Sequence, residues 1–163
     1  MRRSLALISA SAALALGLTA CVGPPEPDWR ALEPEANAFV ESGTRSPDSL
    51  GGGSFRARRD DAGPDDLSDD DDARLMLGYA SDVRIDAVTM ACFGGGEARL
   101  GLSTRSGSTW TGQGTALTVV CDGTQHGVPI DAPVQGVNAI QLSGVIADGP
   151  GGIVAGVVRG STE

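Results

Sequence analysis

The side chains of this 163-residue chain that could do catalytic chemistry are few. His126 is the only histidine and lies in the polar segment 123–127, which favours an exposed loop imidazole. No Gly-x-Ser-x-Gly motif accompanies it, so a Ser-His-Asp hydrolase is not indicated. Five aspartates offer a carboxylate pair for glycoside hydrolysis, but most lie beside Gly, Ser or Pro, as turn aspartates do: Asp82, Asp86, Asp122, Asp131 and Asp148. The sequence therefore predicts a non-enzymatic protein with no catalytic residues, no cofactor and no metal site.

Cys21 closes an N-terminal segment that has the features of an export signal. Two arginines near the start precede an apolar run over 5–18. The stretch Leu18-Thr19-Ala20-Cys21 resembles the lipobox of bacterial lipoproteins, in which small residues precede an invariant cysteine. The resemblance implies that the signal peptide 1–20 is removed and that Cys21 becomes a diacylated N-terminus, with acyl chains such as palmitate holding the protein at the extracytoplasmic face of the cell membrane. An uncleaved anchor or an ordinary secretory signal, with Cys21 unmodified, is the alternative.

The other two cysteines, Cys92 and Cys121, are expected to form one disulfide, because an exported chain keeps such a pair oxidised. If predicted strands 83–92, 97–103 and 115–121 run down, up and down, both cysteines lie at one end of the domain, each followed by a turn. A further strand between the last two would weaken this argument. Two cysteines and one distant histidine do not make a zinc site. A redox role would favour Cys-x-x-Cys, which the sequence lacks.

Charge divides the chain into two parts. The whole chain carries 12 arginines, no lysine and 21 acidic residues, a net charge of −9. Segment 22–72 alone holds 14 acidic residues and five arginines. Low apolar content and high net charge cannot offset the entropy lost on ordering, so we expect 21–72 to be the lipidated N-terminus followed by a disordered acidic linker. A helical turn or two over 35–40, with Pro34 at its start, is the local exception that the sequence allows.

Two motifs of the linker could each indicate a binding site, one for phosphate and one for calcium. Gly51-Gly52-Gly53-Ser54 is expected to be a flexible joint, since no Gly-Lys-Ser/Thr follows it as in a phosphate loop. Segment 60–72 is dense in aspartate, which could bind calcium, but the spacing does not match the EF-hand loop. A solvated, self-repelling spacer is the favoured interpretation of this segment.

Segment 73–163 is expected to be the folded domain. It consists of short alternating runs separated by Gly, Pro, Ser and Asp, a pattern typical of β-strands. The run over 153–158 is apolar on both faces and predicts a central strand. In the run over 83–92, the alternation of apolar and polar residues shifts by one position near Ala87, which predicts a bulge. About seven strands with no helical period predict a small antiparallel β-sandwich, an all-β fold. The runs are 75–79, 83–92, 97–103, 115–121, 128–130, 137–146 and 153–158.

Trp110 is the candidate for ligand contact. Aromatic residues are scarce in this domain, and Trp110 lies between turn residues in Ser-Thr-Trp-Thr-Gly. It is either an exposed recognition residue or a cap over a thin core, and the cap is favoured.

Segments 83–96, 119–123 and 151–158 resemble small β-sandwich domains of actinobacterial lipoproteins of unknown function, a resemblance that brings no known activity. Without Arg2 and Arg3 the net charge is −11, which argues against nucleic acid as a partner. Two functions remain. The favoured one is an envelope module that binds a wall component, an envelope protein or a small ligand. The alternative is a small secreted enzyme or enzyme accessory acting on cell-wall polymers.

Overall fold

A computed structural model describes residues 27–59, 74–130 and 133–162. These residues form one helix and six strands, and every pairing between strands is antiparallel. The prediction of an all-β antiparallel fold is confirmed. The elements are α1 (Trp29–Thr44), β1 (Ser49–Ala57), β2 (Arg74–Ser106), β3 (Thr109–Gly112), β4 (Leu117–Val128), β5 (Val134–Asp148) and β6 (Gly152–Thr162).

β2 organises the sheet and accounts for part of the difference between the six strands observed and the seven or so predicted. The predicted run 128–130 forms no strand of its own, since β4 ends at Val128, while β1 and β3 lie outside the predicted runs. β2 runs for 33 residues and joins three predicted strands into one. Its two ends flank β5, because Leu75 and Leu102 both pair with Leu142 from opposite sides. β2 must therefore bend, and the single sheet folds over a core made of its own inner face. Buried aliphatic residues from β2, β4, β5 and β6 fill that core.

Segment 93–96, expected to be a turn, is instead a bulge within β2. Phe93 pairs with Asp122 and Glu97 pairs with Val120, so the chain keeps its direction along β4 on both sides of the bulge. Gly94, Gly95 and Gly96 all have positive φ, which favours glycine at these positions. The predicted down-up-down order of strands is therefore wrong. The bulge predicted near Ala87 is confirmed by a register shift between Ile85 and Ala87 in the pairing with β6.

β6 is the central strand that its sequence predicted. It pairs with β1 on one edge and with β2 on the other. Val154 and Val158 contribute to the main core on one face, whereas Ile153 and Ala155 are buried against α1 on the opposite face. A strand that is covered on both faces needs apolar residues at successive positions, which is the pattern of 153–158.

The expectation of disorder over 22–72 is wrong for residues 29–57, where the structure has α1 and β1. Asp28 caps α1 by accepting a hydrogen bond from the backbone N–H of Ala31. An apolar stripe of α1 packs on β6 and on Phe93, and this packing stabilises a helix that would be marginal alone. Pro34 lies inside the helix, not at its start. The stripe consists of Trp29, Leu32, Ala36, Phe39 and Val40.

The glycines expected to form a flexible joint belong to β1. Gly52 pairs with Val157, and a Cβ at Gly52 would lie 2.7 Å from the carbonyl oxygen of Gly156. The glycine therefore serves close packing between two strands. Residues 1–20, the lipobox cysteine Cys21 and the aspartates of 60–72, with their calcium alternative, lie outside the described residues.

Candidate functional site

Cys92 and Cys121 form a disulfide, as the sequence predicted. Both residues are buried, and the bond joins β2 to β4 with 4.3 Å between the two Cα atoms. The cysteines lie beside the bulge at 93–96, where neighbouring strands bring them together. The pairing is therefore right, although the strand order from which it was inferred is wrong. The bond has a structural role at this buried position.

His126 is placed differently from the expected exposed loop. It belongs to β4, pairs with Met90 on the core-facing side, and is half-buried. Its Nε2 atom is buried and has no hydrogen-bond partner among the described residues. The backbone N–H of Thr124 donates a hydrogen bond to the Asp122 carboxylate at 2.9 Å, and this bond lowers the pKa of Asp122. Asp122 therefore stabilises local backbone, as aspartates in turns do.

The other domain aspartates are separated from one another. Asp86 forms an ion pair with Arg84 at 2.8 Å, and Asp82 and Asp148 are exposed at different ends of the sheet. Asp131 lies outside the described residues. Within the ranges that the structure describes, no three His, Cys, Asp or Glu side chains converge as a metal site would require.

Among the described residues, α1 does not cover the outer face of β5 and of the two β2 segments beside it, because it packs on β6, β1 and the middle of β2. Met76 and Arg99 are exposed on this face, whereas Ala139 is buried there. Residues directly opposite each other on antiparallel strands share a face. Gly78, Ala139, Arg105 and Trp110 form one such row. Their neighbours at alternate positions, including Leu77, Ile140 and Thr104, face the core side.

We call this surface the arginine face. Trp110 is 40% exposed and Met76 is 53% exposed. The centre of the face carries small residues, because Gly101 of β2 pairs with Ser143 of β5. Acidic residues, Glu97 and Asp148, occupy only one end of it. Its larger side chains are Arg74, Met76, Arg99, Arg105, Trp110 and Gln141.

Trp110 lies on this face and does not cap the core, so the favoured interpretation of Trp110 is wrong. Its ring contacts the guanidinium of Arg105, whose Cζ is 5.6 Å from the ring centroid. The Nε of Arg105 donates a hydrogen bond to the Oδ1 of Asn138 at 2.8 Å. The Nδ2 of Asn138 in turn donates to the carbonyl oxygen of Gly107 at 3.0 Å. Three side chains from three strands are thereby held in one arrangement.

A second stack of arginine on tryptophan provides an internal comparison. The Cζ of Arg56 is 5.3 Å from the ring centroid of Trp29. The Nη2 of Arg56 donates to the Oε1 of Glu33 at 3.0 Å, so a carboxylate of the protein itself pairs with this guanidinium. In Arg105 the Nε donates to the side-chain amide of Asn138, while the two Nη atoms have no hydrogen-bond partner among the described residues. A guanidinium edge of this kind matches a carboxylate or a phosphate, which binds through two parallel hydrogen bonds.

Sequence reasoning missed Arg105 and Asn138. Arg99 and Arg105 are six residues apart in one strand, so alternation places them on the same face. That pattern could have identified the basic surface. Asn138 lies where β5 shifts register against β2, and no local pattern connects it with Arg105.

No helix in the described ranges is both long enough and apolar enough to span a membrane. No protein-family model matches the chain, and no curated protein shows significant similarity to it.

Proposed function

We propose that this protein is a lipid-anchored binding module at the extracytoplasmic face of the cell membrane, held there through Cys21. The lipobox-like stretch at 18–21 supports the anchor. The disulfide between Cys92 and Cys121 supports export, because such bonds persist in oxidising compartments. The fold supports a role in recognition, since a stable sheet presents a fixed, exposed set of side chains on one face.

The observation that carries the binding role is the arrangement of Trp110, Arg105 and Asn138. Trp110 is large, exposed and fixed by a neighbouring cation, and tryptophan and arginine are the residues most enriched in binding hot spots. Because the hydrogen bonds of Asn138 already hold Arg105, a ligand would lose little entropy in ordering the site. In this role the module contacts a component of the cell envelope while its acyl chains hold it at the membrane.

The anchor is tested by labelling cells with a fatty-acid analogue and fractionating their membranes. Wild-type protein should take up the label and sediment with membranes, whereas Cys21→Ser should lose the label. The double variant Cys92→Ser/Cys121→Ser is the control, and any of it that folds should remain labelled. Absence of label on the wild-type protein would refute the anchor.

The binding role is tested with the full mature chain carrying Cys21→Ser, which is purified without lipid and sedimented with isolated cell envelopes. We expect the protein to co-sediment, and Trp110→Ala to reduce the bound fraction. Val120→Ala is the control for loss of an exposed apolar side chain, because Val120 is 52% exposed and lies beside Glu97, at the acidic end of the arginine face. It pairs with Glu97, eight residues from Arg105, or roughly 27 Å along the strand. A bound fraction that is unchanged by Trp110→Ala would contradict this role for the arginine face.

A further inference from the structure

We propose that the arginine face binds an acidic saccharide, with a carboxylate or phosphate of the saccharide on the Nη edge of Arg105 and a sugar ring against Trp110. This inference rests on the proposed function and deepens it, because it specifies the chemical class of the envelope component.

The first argument is the incomplete set of partners around Arg105. The stack of Arg56 on Trp29 includes a carboxylate from Glu33 at 3.0 Å. The stack of Arg105 on Trp110 has the same ring and cation, but the third group is a neutral amide on Nε. Because Asn138 fixes the plane of the guanidinium, the Nη edge is oriented before any ligand arrives. A planar oxyanion is the ligand that such an edge binds best.

The second argument is charge complementarity. The chain as a whole is acidic, with a net charge of −9, yet three of the five arginines of 73–163 lie on the arginine face. Arg99 and Arg105 are separated by roughly 20 Å along β2. Arg74 lies on the β2 segment at the other side of β5. Arg105 supplies the positive charge beside Trp110, and this charge fits one carboxylate or phosphate of an acidic saccharide.

The third argument is the shape and polarity of the surface between the arginines. Gly101, Ser103 and Gly112 leave the centre flat, so an extended chain can lie across the strands. The Ser103 hydroxyl and the Gln141 amide, which are paired across β2 and β5, offer hydrogen-bonding groups for sugar hydroxyls. Trp110 supplies the one large aromatic surface on this face. These features favour a saccharide over an acidic peptide, which would need pockets for its side chains.

The test is calorimetric titration of the full mature Cys21→Ser protein with four probes. These are an oligogalacturonate with one carboxylate per sugar, its neutral methyl ester, phosphopentamannose, and poly-glutamate. We expect binding of the oligogalacturonate, of phosphopentamannose, or of both, and the ratio of the two affinities tells whether carboxylate or phosphate is the natural group. The neutral ester should bind at least about tenfold more weakly, since it cannot form charge-assisted hydrogen bonds.

Arg105→Gln should weaken binding of the acidic saccharide roughly 10- to 100-fold. Arg105→Lys should restore only part of this, because a lysine keeps the charge and loses the planar edge. Asn138→Ala tests positioning, and it should weaken binding while the net charge of the protein is unchanged. The control is Arg84→Gln, which removes an arginine that is paired with Asp86 and lies outside the arginine face. Unchanged unfolding midpoints show that each variant is folded.

Three results would overturn the inference: equal affinity for the neutral ester, no effect of Arg105→Gln in folded protein, or binding of poly-glutamate alone. Each of these leaves the proposed function standing, provided that envelopes are still bound in a manner sensitive to Trp110→Ala. Loss of envelope binding altogether refutes the proposed function instead, so the two failures are distinguishable.

Discussion

Cys92 of β2 is bonded to Cys121 of β4 across two neighbouring antiparallel strands, with 4.3 Å between their Cα atoms. The two cysteines are 29 positions apart in the sequence, and the segment between them includes the end of β2 and all of β3. The disulfide therefore reduces the conformational entropy of the unfolded chain. In the folded state the sheet already holds the two cysteines side by side.

Removing this disulfide should destabilise the domain. We expect Cys92→Ser with Cys121→Ser to lower the free energy of unfolding by about 3–4 kcal/mol, because the open segment regains conformational entropy in the unfolded chain. Urea unfolding measures the change, and Cys21→Ser is the control that should leave stability unaltered. Freely alkylated Cys92 and Cys121 in native exported protein would contradict the prediction. Ligand binding at Arg105 should persist wherever the fold does.

Because one face of α1 is buried, a charge placed on that face should destabilise the helix. Ala36 is fully buried between α1 and β6, whereas Ala38, two residues later, is exposed. Ala36→Asp should destabilise α1 by about 3 kcal/mol or more, since it buries an unpaired carboxylate. Ala38→Asp is the same substitution on the solvent side and should change stability by less than about 0.5 kcal/mol. Hydrogen exchange over 29–44 measures both, and equal exchange rates for the two variants would show that α1 is not packed on the sheet.

Tyr79 should make the protein sensitive to alkaline pH. Burial raises the pKa of Tyr79 from its ordinary value of 10 to about 12. The folded state therefore holds the phenol proton more tightly than the unfolded state does. The stability of the fold should be constant below pH 10 with respect to this group, and should fall as pH rises from about 10 to 12, when only the unfolded phenol ionises.

The chain has one tyrosine, so absorbance near 295 nm reports its ionisation alone. We expect a midpoint near 12 in native protein and near 10 in denaturant. Because the Tyr79 hydroxyl has no hydrogen-bond partner among the described residues, Tyr79→Phe should fold well and lose the transition. A native midpoint at 10 would show that the ring is exposed.

The glycines of β1 permit close packing, and a pair of variants tests this. A Cβ at Gly52 would lie 2.7 Å from a backbone oxygen, whereas a Cβ at Gly127 would meet no atom within 4 Å. Gly52→Ala should therefore destabilise the protein by about 1–3 kcal/mol through overpacking. Gly127→Ala should be neutral or slightly stabilising, because alanine restricts the unfolded chain. Thermal unfolding measures both changes. Equal melting temperatures would mean that β1 does not pair with β6 as described.

The expectation of disorder over 22–72 is wrong for residues 29–57, because the net negative charge of the segment is not spread evenly along it. Eight of its 14 acidic residues fall within 60–72, and residues 27–59 hold five acidic residues and five arginines. The acidic residues of α1 lie on its exposed side, where Glu33 pairs with Arg56 and Glu41 pairs with Arg45. A shorter window, together with the apolar spacing of α1, would have indicated an amphipathic helix.

Features that depend on neighbouring residues and on composition could be predicted from the amino-acid sequence alone. Alternation of apolar and polar residues indicated an all-β fold, the doubly apolar run at 153–158 indicated a central strand, and the phase change near Ala87 indicated a bulge. The number of cysteines, together with the export signal, predicted the disulfide between Cys92 and Cys121.

Features that depend on distant partners could not be predicted in this way, because they follow from contacts in the folded chain. α1 and β1 are stabilised by packing on β6, which lies about 100 residues later in the chain. The direction of β2 through 93–96 follows from its pairing with β4, not from its glycines, which suit a turn equally well. Arg105 meets Asn138 because β5 lies beside the end of β2. Local propensity is weak compared with burial and pairing energy, so contacts between distant segments determined each of these elements.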